Sequence, residues 1–170
     1  MPGQFGTMRP IDERSSGPSV ASNATEGTAS PLLEREAELH RMGAVLDAVQ
    51  RTRAGATIVV RGEAGIGKTA LVEHFARLHS RRLYCLYGGC EALFAPRPLG
   101  PLVDLADDLP PSLAGAIRSA RPNHELFPAF LSYLRDAQGV TLLVLEDVQW
   151  ADEATFDFVK YIGRRVRQVP

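Results

Sequence analysis

Apolar positions along the chain fall into short continuous runs and longer segments with helical spacing. Residues 57–60 (T-I-V-V) are β-branched, and residues 140–145 (V-T-L-L-V-L) form a continuous apolar run, as in strands that are buried on both faces. The pattern predicts strands over residues 57–61, 83–87 and 140–145, and helices over residues 34–53, 70–79, 99–107, 112–119 and 123–137.

A last helix is predicted to begin at Asp152, a favourable N-cap residue with Glu153 beside it. Its spacing places Phe156, Val159 and Ile162 on the face that turns to the core. Because strands alternate with helices along the chain, the predicted fold is α/β with a parallel sheet.

The first 30 residues differ from the rest of the chain in composition. They are rich in Ser, Gly, Pro, Thr and Ala and nearly free of aromatic residues, so they bury too little surface to offset the entropy of ordering. We therefore predict a disordered tail over residues 1–30 and one domain over residues 31–170, in a chain of 170 residues.

Residues 62–69 (G-E-A-G-I-G-K-T) are a complete G-x-x-x-x-G-K-T phosphate-binding loop between a predicted strand and a predicted helix. Glycines let the backbone approach a polyphosphate with its N–H groups pointing inward, and the following helix offers its N-terminal N–H groups. Lys68 is predicted to meet the β- and γ-phosphates, and Thr69 to ligate Mg²⁺. The predicted nucleotide-binding residues in this segment are Gly62, Glu63, Ala64, Gly65, Ile66, Gly67, Lys68, Thr69 and Ala70.

The run 140–145 ends in Glu146 and Asp147, as a Walker B strand does. Acidic side chains at the carboxyl end of a buried strand lie beside the phosphate loop, where one can hold magnesium and the other can orient the attacking water. Glu146 and Asp147 are therefore the predicted catalytic residues, and with Thr69 the predicted metal ligands. The sequence leaves open which of the two acids faces the metal.

Net charge, cysteine spacing and the length of the apolar runs limit which classes of function fit the sequence. A net charge of -1 argues against a broad nucleic-acid surface, and the basic cluster 164–167 is interpreted as a solvated helix end. Cys85 and Cys90 lack zinc-site spacing and are predicted to be free thiols, Cys85 in a strand. Without a membrane-spanning run or a signal core, the expected location is the cytoplasm.

Three segments resemble one family. Residues 145–152 (L-E-D-V-Q-W-A-D) resemble the L-(D/E)-D-x-H-W-A-D signature of STAND/AAA-type P-loop ATPases, and the loop variant fits the same group. Residues 31–39 are similar to its G-R-E-x-E-L segment, and residues 98–102 to a segment between its Walker motifs. The likeness is strongest to the ATPase module that precedes helical repeats and a DNA-binding helix-turn-helix in large LuxR-type bacterial transcription regulators.

The resemblance implies a three-layer α/β/α P-loop fold, with ATP and Mg²⁺ as cofactors and Arg35 as a nucleotide contact near the base. The sequence departs from the family pattern at Glu34, which replaces a glycine, at Glu146, which replaces the more usual Asp, and at Gln149, which replaces His. Gln149 keeps hydrogen-bonding capacity but cannot titrate near neutral pH.

The resemblance also implies that a sensor strand lies between the Walker A and Walker B strands and follows them in sequence, together with a lid. We expect both to be missing from residues 31–170. Their absence would leave a gap in the sheet, or make the run 140–145 pair directly with residues 57–60, and either arrangement predicts weak or absent hydrolysis.

Four functions compete at this point. The first is an ATP-binding switch module of a LuxR-type regulator, with the regulator's helical repeats and helix-turn-helix as partners. The second is a small stand-alone ATPase or kinase, and the third is a non-catalytic interaction fragment. The fourth, direct nucleic-acid binding, is disfavoured by the net charge. ATP is preferred over GTP through the resemblance, and no N-K-x-D motif for guanine is present.

Overall fold

The computed structural model describes residues 35–93 and 97–170, and the predicted tail and the segment 31–34 lie outside them. The described helices and strands, in chain order, are α1 (Glu36–Thr52), α2 (Lys68–Leu78), β1 (Leu83–Gly89), α3 (Gly100–Asp104), α4 (Pro111–Arg118), α5 (Asn123–Asp136), β2 (Val140–Glu146) and α6 (Glu153–Gly163). Three short 3-10 turns cover Leu105–Asp108, Val148–Trp150 and Val166–Gln168. Each predicted helix is present, and the prediction over 99–107 divides into α3 and the turn that follows it.

Strands β1 and β2 form a parallel pair, with Leu83 opposite Val140 and Gly89 opposite Glu146. Both strands therefore end at the same edge of the sheet, which is where a doubly wound fold presents its functional groups. The predicted α/β fold with a parallel sheet is confirmed, and each strand runs a little further than predicted.

Helices cover both faces of this strand pair. Leu86 and Leu143 contact the larger apolar cluster, which is formed mainly by α3 to α6. Cys85 and Leu142 contact a second cluster, which contains buried residues of α1 and α2. Because successive side chains of a strand point to opposite faces, the two clusters lie on opposite sides of the sheet. The described residues thus form the three layers that the resemblance implies.

The centre of the larger cluster is aromatic. Phe130 of α5 and Phe158 of α6 are fully buried, and their rings meet edge to face with centroids 5.1 Å apart. Phe127 meets Phe158 in the same way at 5.4 Å. Such contacts add to the free energy gained from burying the rings, so this cluster fixes how α5 and α6 pack on the sheet.

The predicted strand over residues 57–61 is wrong within the part of the chain that the structure describes. β2 pairs with β1, and neither strand pairs with residues 57–61. Ile58 is 42% exposed and Val59 is 67% exposed. A strand needs a neighbouring strand to take up its backbone N–H and C=O groups, and residues 35–93 and 97–170 place none beside this segment. The alternative pairing of 140–145 with 57–60 is wrong for the same reason.

Helix α6 begins as predicted but presents another face to the core. Phe156 and Val159 are exposed, whereas Thr155 and Phe158 are fully buried. The prediction for Phe156 and Val159 is therefore wrong, because the helix is rotated by about one residue, roughly 100°. Packing of Phe158 against the aromatic cluster decides this rotation. Ile162 is half-buried against the larger cluster, as predicted.

Candidate phosphate-binding site

The segment 62–67 forms a turn that leads directly into α2. Gly65 and Gly67 have φ values of 77° and 86°, in the left-handed region that favours glycine. A Cβ atom on Gly62 would lie 2.9 Å from Cγ2 of Ile66, so the absence of a side chain at Gly62 lets the loop close on itself. The unusual backbone angles that the motif predicts are present.

Helix α2 begins at Lys68, with Gly67 as its N-cap residue. Its first turn has no acidic residue, and no side chain caps its N–H groups. The first backbone bond of the helix runs from the N–H of Leu71 to the carbonyl oxygen of Gly67. The earlier N–H groups of α2 therefore have no acceptor within the helix, and together with the helix dipole they favour an anion.

Lys68 folds back over the start of the loop. Its ammonium group donates to the carbonyl oxygens of Gly62 at 3.1 Å and Glu63 at 3.0 Å. These contacts join the two ends of the loop and keep the positive charge at its rim. Thr69 and Ala70 follow on the exposed first turn of α2. The loop backbone, its cation and the open helix end fit the phosphate chain of a nucleotide.

Arg35 contacts the same loop from the segment just before α1. Its Nη1 donates to the carbonyl oxygen of Gly67 at 2.9 Å, and its Nη2 donates to the carbonyl oxygen of Ile66. The structure therefore places Arg35 beside the loop, where its partners are backbone oxygens, and the nucleotide contact near the base that the resemblance implies stays a prediction.

Glu146 and Asp147 stand at the carboxyl end of β2. Glu146 is opposite Gly89, in the register that places Cys85 and Leu142 on the face covered by α1 and α2. Glu146 therefore lies on the side of the sheet where the phosphate-loop helix packs. Asp147 is exposed, has a left-handed φ of 51°, and accepts a hydrogen bond from Nε2 of Gln149 at 3.0 Å. Gln149 thus uses the hydrogen-bonding capacity that the sequence assigns to it.

Tyr87 lies in β1, two residues before the strand ends at Gly89. Desolvation by partial burial raises the pKa of Tyr87 to about 12, and the carboxylates of Glu73 of α2 and Glu146 act in the same direction. Within residues 35–93 and 97–170, however, no hydrogen bond or ion pair joins Glu146 or Asp147 to Lys68 or Thr69.

A protein family described as AAA ATPase domain matches residues 31–170. The chain belongs to this AAA ATPase family. AAA ATPase domains are nucleotide-binding domains, and Mg²⁺ usually accompanies the nucleotide. The phosphate loop and the parallel strand pair of the AAA domain agree with that assignment.

The AAA domain is also similar to an uncharacterized protein of Rhizobium meliloti (strain 1021). The two are 29% identical over 137 residues, which cover 69% of this chain and 12% of the relative. The chain thus spans a small part of that relative's length. No solved structure matches the AAA domain. Among the described residues, no helix has both the length and the apolar content needed to cross a membrane.

Asp152, the last residue of the signature segment, joins α6 to Leu99, the residue just before α3. It caps α6 by accepting from the N–H groups of Ala154 at 2.9 Å and Thr155 at 3.3 Å. It also accepts from the buried hydroxyl of Thr155, and from the N–H of Leu99 at 3.2 Å. Its N-cap role was predictable, but the link to Leu99 was not, because no local signal relates the two residues.

A cleft of about 130 Å³ lies elsewhere on the AAA domain, lined by residues that include Cys90, Arg97, Asp104, Trp150 and Asp152. None of residues 62–69 lines it. The loop, and not this cleft, is the candidate phosphate site, because backbone N–H groups at a helix N-terminus bind anions without an enclosed pocket. In the cleft, the carboxylate of Asp152 is already occupied by the contacts that hold α6 and Leu99.

The described residues contain no group of three or more His, Cys, Asp and Glu side chains that could hold a metal ion. This does not conflict with the magnesium prediction, because Mg²⁺ is commonly held by one or two carboxylates together with phosphate oxygens and water. Thr69, Glu146 and Asp147 carry oxygen ligands of the suitable kind.

Proposed function

We propose that this AAA domain binds ATP with Mg²⁺ through residues 62–69 and serves as a nucleotide switch. The observation that carries the proposal is the conformation of the loop. The left-handed Gly65 and Gly67 lead into α2, whose first residue is Lys68 and whose first N–H groups have no helical acceptor. Few ligands other than a phosphate chain match both the backbone donors and the adjacent cation.

In this proposal each residue has a separate role. The N–H groups around Gly67 and Lys68 donate to phosphate oxygens, and the ammonium group of Lys68 exchanges its loop carbonyls for the outer phosphates. Thr69 offers a hydroxyl oxygen, and Glu146 and Asp147 offer carboxylates, which are the kind of ligand that holds magnesium. When bound, magnesium neutralises phosphate charge.

We further propose that the nucleotide switch works within a longer LuxR-type regulator, where it would control DNA binding through helical repeats and a helix-turn-helix. The signature residues 145–152 support this context, and so does the relative that is much longer than the matched segment. A net charge of -1 gives no support for DNA binding by these residues themselves.

Hydrolysis is proposed to be weak or absent. Water activation requires the acids at the end of β2 to act beside the bound phosphates. Asp147 accepts a hydrogen bond from Gln149, and within the described ranges neither acid makes a hydrogen bond or ion pair with Lys68 or Thr69. Multiple turnovers at a rate typical of enzymes would favour the stand-alone ATPase or kinase instead.

The test compares a variant of Lys68 with a control variant of Lys160. These are the two lysines of the chain, and only Lys68 lies in the loop. A fluorescent ATP analogue is titrated with and without Mg²⁺, and the melting temperature is followed, since a ligand of the native state raises it. Lys68→Ala should abolish binding and keep the fold, whereas Lys160→Ala, which removes the same charge from α6, should bind normally. Unchanged affinity in Lys68→Ala would refute the phosphate site, and no binding by the unmodified protein would favour the interaction fragment.

A further inference from the structure

Arg35 holds two consecutive peptide groups of the phosphate loop. One end of its guanidinium group donates to the carbonyl oxygen of Ile66 and the other donates to that of Gly67 at 2.9 Å. A planar guanidinium group is suited to such a two-point contact, whereas an ammonium group is not. Arg35 is half-buried, and it makes no capping hydrogen bond to α1, so its side chain is committed to the loop.

The geometry of the peptide bond gives this contact a consequence. A trans peptide is planar, and its C=O and N–H point in opposite directions. The carbonyl of Ile66 shares a peptide group with the N–H of Gly67, and the carbonyl of Gly67 shares one with the N–H of Lys68. When Arg35 fixes the two oxygens, it also turns the N–H groups of Gly67 and Lys68 away from itself.

These two N–H groups are among those that the phosphate loop offers to an anion. The N–H of Lys68 precedes the first hydrogen bond of α2, which reaches Gly67 from Leu71. Gly67 has a left-handed φ of 86°, and a peptide flip there would turn the N–H groups out of line. An interaction that holds the donors in place before the ligand arrives increases affinity by reducing the ordering required on binding.

We propose that Arg35 is a positioning residue that orders the N–H groups of Gly67 and Lys68 for a polyphosphate, whichever base the ligand carries. The inference rests on the proposed phosphate site. It differs from the contact near the base that the family resemblance implies for Arg35. The two roles separate cleanly, because a base contact cannot affect a ligand that has no base.

The experiment uses inorganic tripolyphosphate and ATP as probes of the 170-residue chain. Arg35→Ala should weaken both ligands by the same factor, roughly tenfold, which corresponds to one charge-assisted hydrogen bond. Arg35→Lys should lose nearly as much, because it keeps the charge but not the two-point contact. The matched control is Arg41→Ala, which removes an exposed arginine of α1 and should leave both affinities unchanged.

A second readout does not depend on any ligand. In ligand-free protein, the amide ¹H–¹⁵N signals of Gly67 and Lys68 should shift in Arg35→Ala and remain in place in Arg41→Ala. If Arg35→Ala weakens ATP alone, or if Arg35→Lys behaves like the unmodified protein, the inference is overturned. If the unmodified protein binds neither probe, the phosphate-site proposal fails on its own. The amide signals still decide then whether Arg35 positions the loop, and unshifted signals overturn the inference.

Discussion

The N–H of Gly55 donates to the carbonyl oxygen of Val169 at 2.6 Å. This bond joins the segment that leads to the phosphate loop with the last turn of the described chain. Val169 is buried, while Ile58 and Val59 are exposed. The segment between α1 and the loop is therefore anchored by the hydrogen bond at Gly55. Residues 57–61, which follow it, pair with neither strand of the sheet.

The contact at Gly55 leaves no room for a side chain. A Cβ atom there would lie 2.6 Å from the carbonyl oxygen of Val166 and 2.9 Å from that of Val169. Gly55→Ala should therefore reduce the free energy of unfolding by about 1–3 kcal/mol in urea denaturation. Gly43→Ala is the control, because nothing lies within 4 Å of its Cβ position in α1, and it should add about 0.5–1 kcal/mol. A neutral Gly55→Ala would contradict the packing of Val169.

Gly88 and Gly89 are neighbours in β1 but differ in their surroundings. A Cβ atom on Gly88 would lie 2.3 Å from the carbonyl oxygen of Pro101, whereas nothing lies within 4 Å of a Cβ atom on Gly89. Gly88→Ala should force α3 away from β1 and cost about 1–3 kcal/mol of unfolding free energy. Gly89→Ala should change it by less than about 0.5 kcal/mol. Equal midpoints in urea for the two variants would refute the close approach of α3.

Asp152→Ala should reduce stability by about 2–4 kcal/mol, measured by thermal or urea unfolding. Loss of the α6 cap accounts for about 1 kcal/mol. Leaving the fully buried hydroxyl of Thr155 without its acceptor costs about 1–3 kcal/mol more. Asp157→Ala is the control on the same helix. It removes an exposed pair with Lys160 at 3.1 Å and should cost about 0.5 kcal/mol or less. Similar losses in both variants would mean that Asp152 does not join α6 to Leu99.

Asp147→Asn tests the magnesium assignment, which rests on the proposed function. It should weaken nucleotide binding in Mg²⁺ about tenfold and leave binding without Mg²⁺ nearly unchanged, because the amide keeps its size but loses its charge. Titrations of a fluorescent ATP analogue in Mg²⁺ and in a chelator measure the difference. Asp157→Asn provides the same chemical change on α6. An equal loss with and without Mg²⁺ would indicate a structural role for Asp147.

Cys85 should react slowly with thiol reagents at pH 8. Burial raises the pKa of Cys85 to about 11 from 9.0, and the nearby Tyr87 side chain opposes this only in part. A raised pKa keeps the thiol protonated, and the thiolate is the reactive form. In a Cys90→Ala variant, alkylation should be about 100-fold faster in the unfolded protein than in the folded protein at pH 8. The folded rate should rise steadily from pH 7 to pH 9. Equal folded and unfolded rates would contradict the burial of Cys85.

Local patterns predicted much of the site before the fold was known. The left-handed glycines of the loop, the helix that follows it and the N-cap Asp152 depend on neighbours in sequence, and all three are present, although α2 begins at Lys68 and not at residue 70 as predicted. The contacts that are distant in sequence were not predictable in this way. Nothing near Gly67 indicates that Arg35 holds its carbonyl, and nothing near Gly88 indicates that Pro101 lies against it.

The sequence by itself determined the glycine loop before α2, the helices and the parallel class of the sheet, because hydrophobic periodicity and glycine spacing act over a few residues. Tertiary structure alone decided that residues 57–61 form no strand, since a strand exists only where a neighbour takes up its hydrogen bonds. It also decided which face of α6 is buried, because Phe158 fits against Phe130 and Phe127 while Phe156 does not face that cluster. Pairing and packing of this kind depend on residues that only the fold brings together.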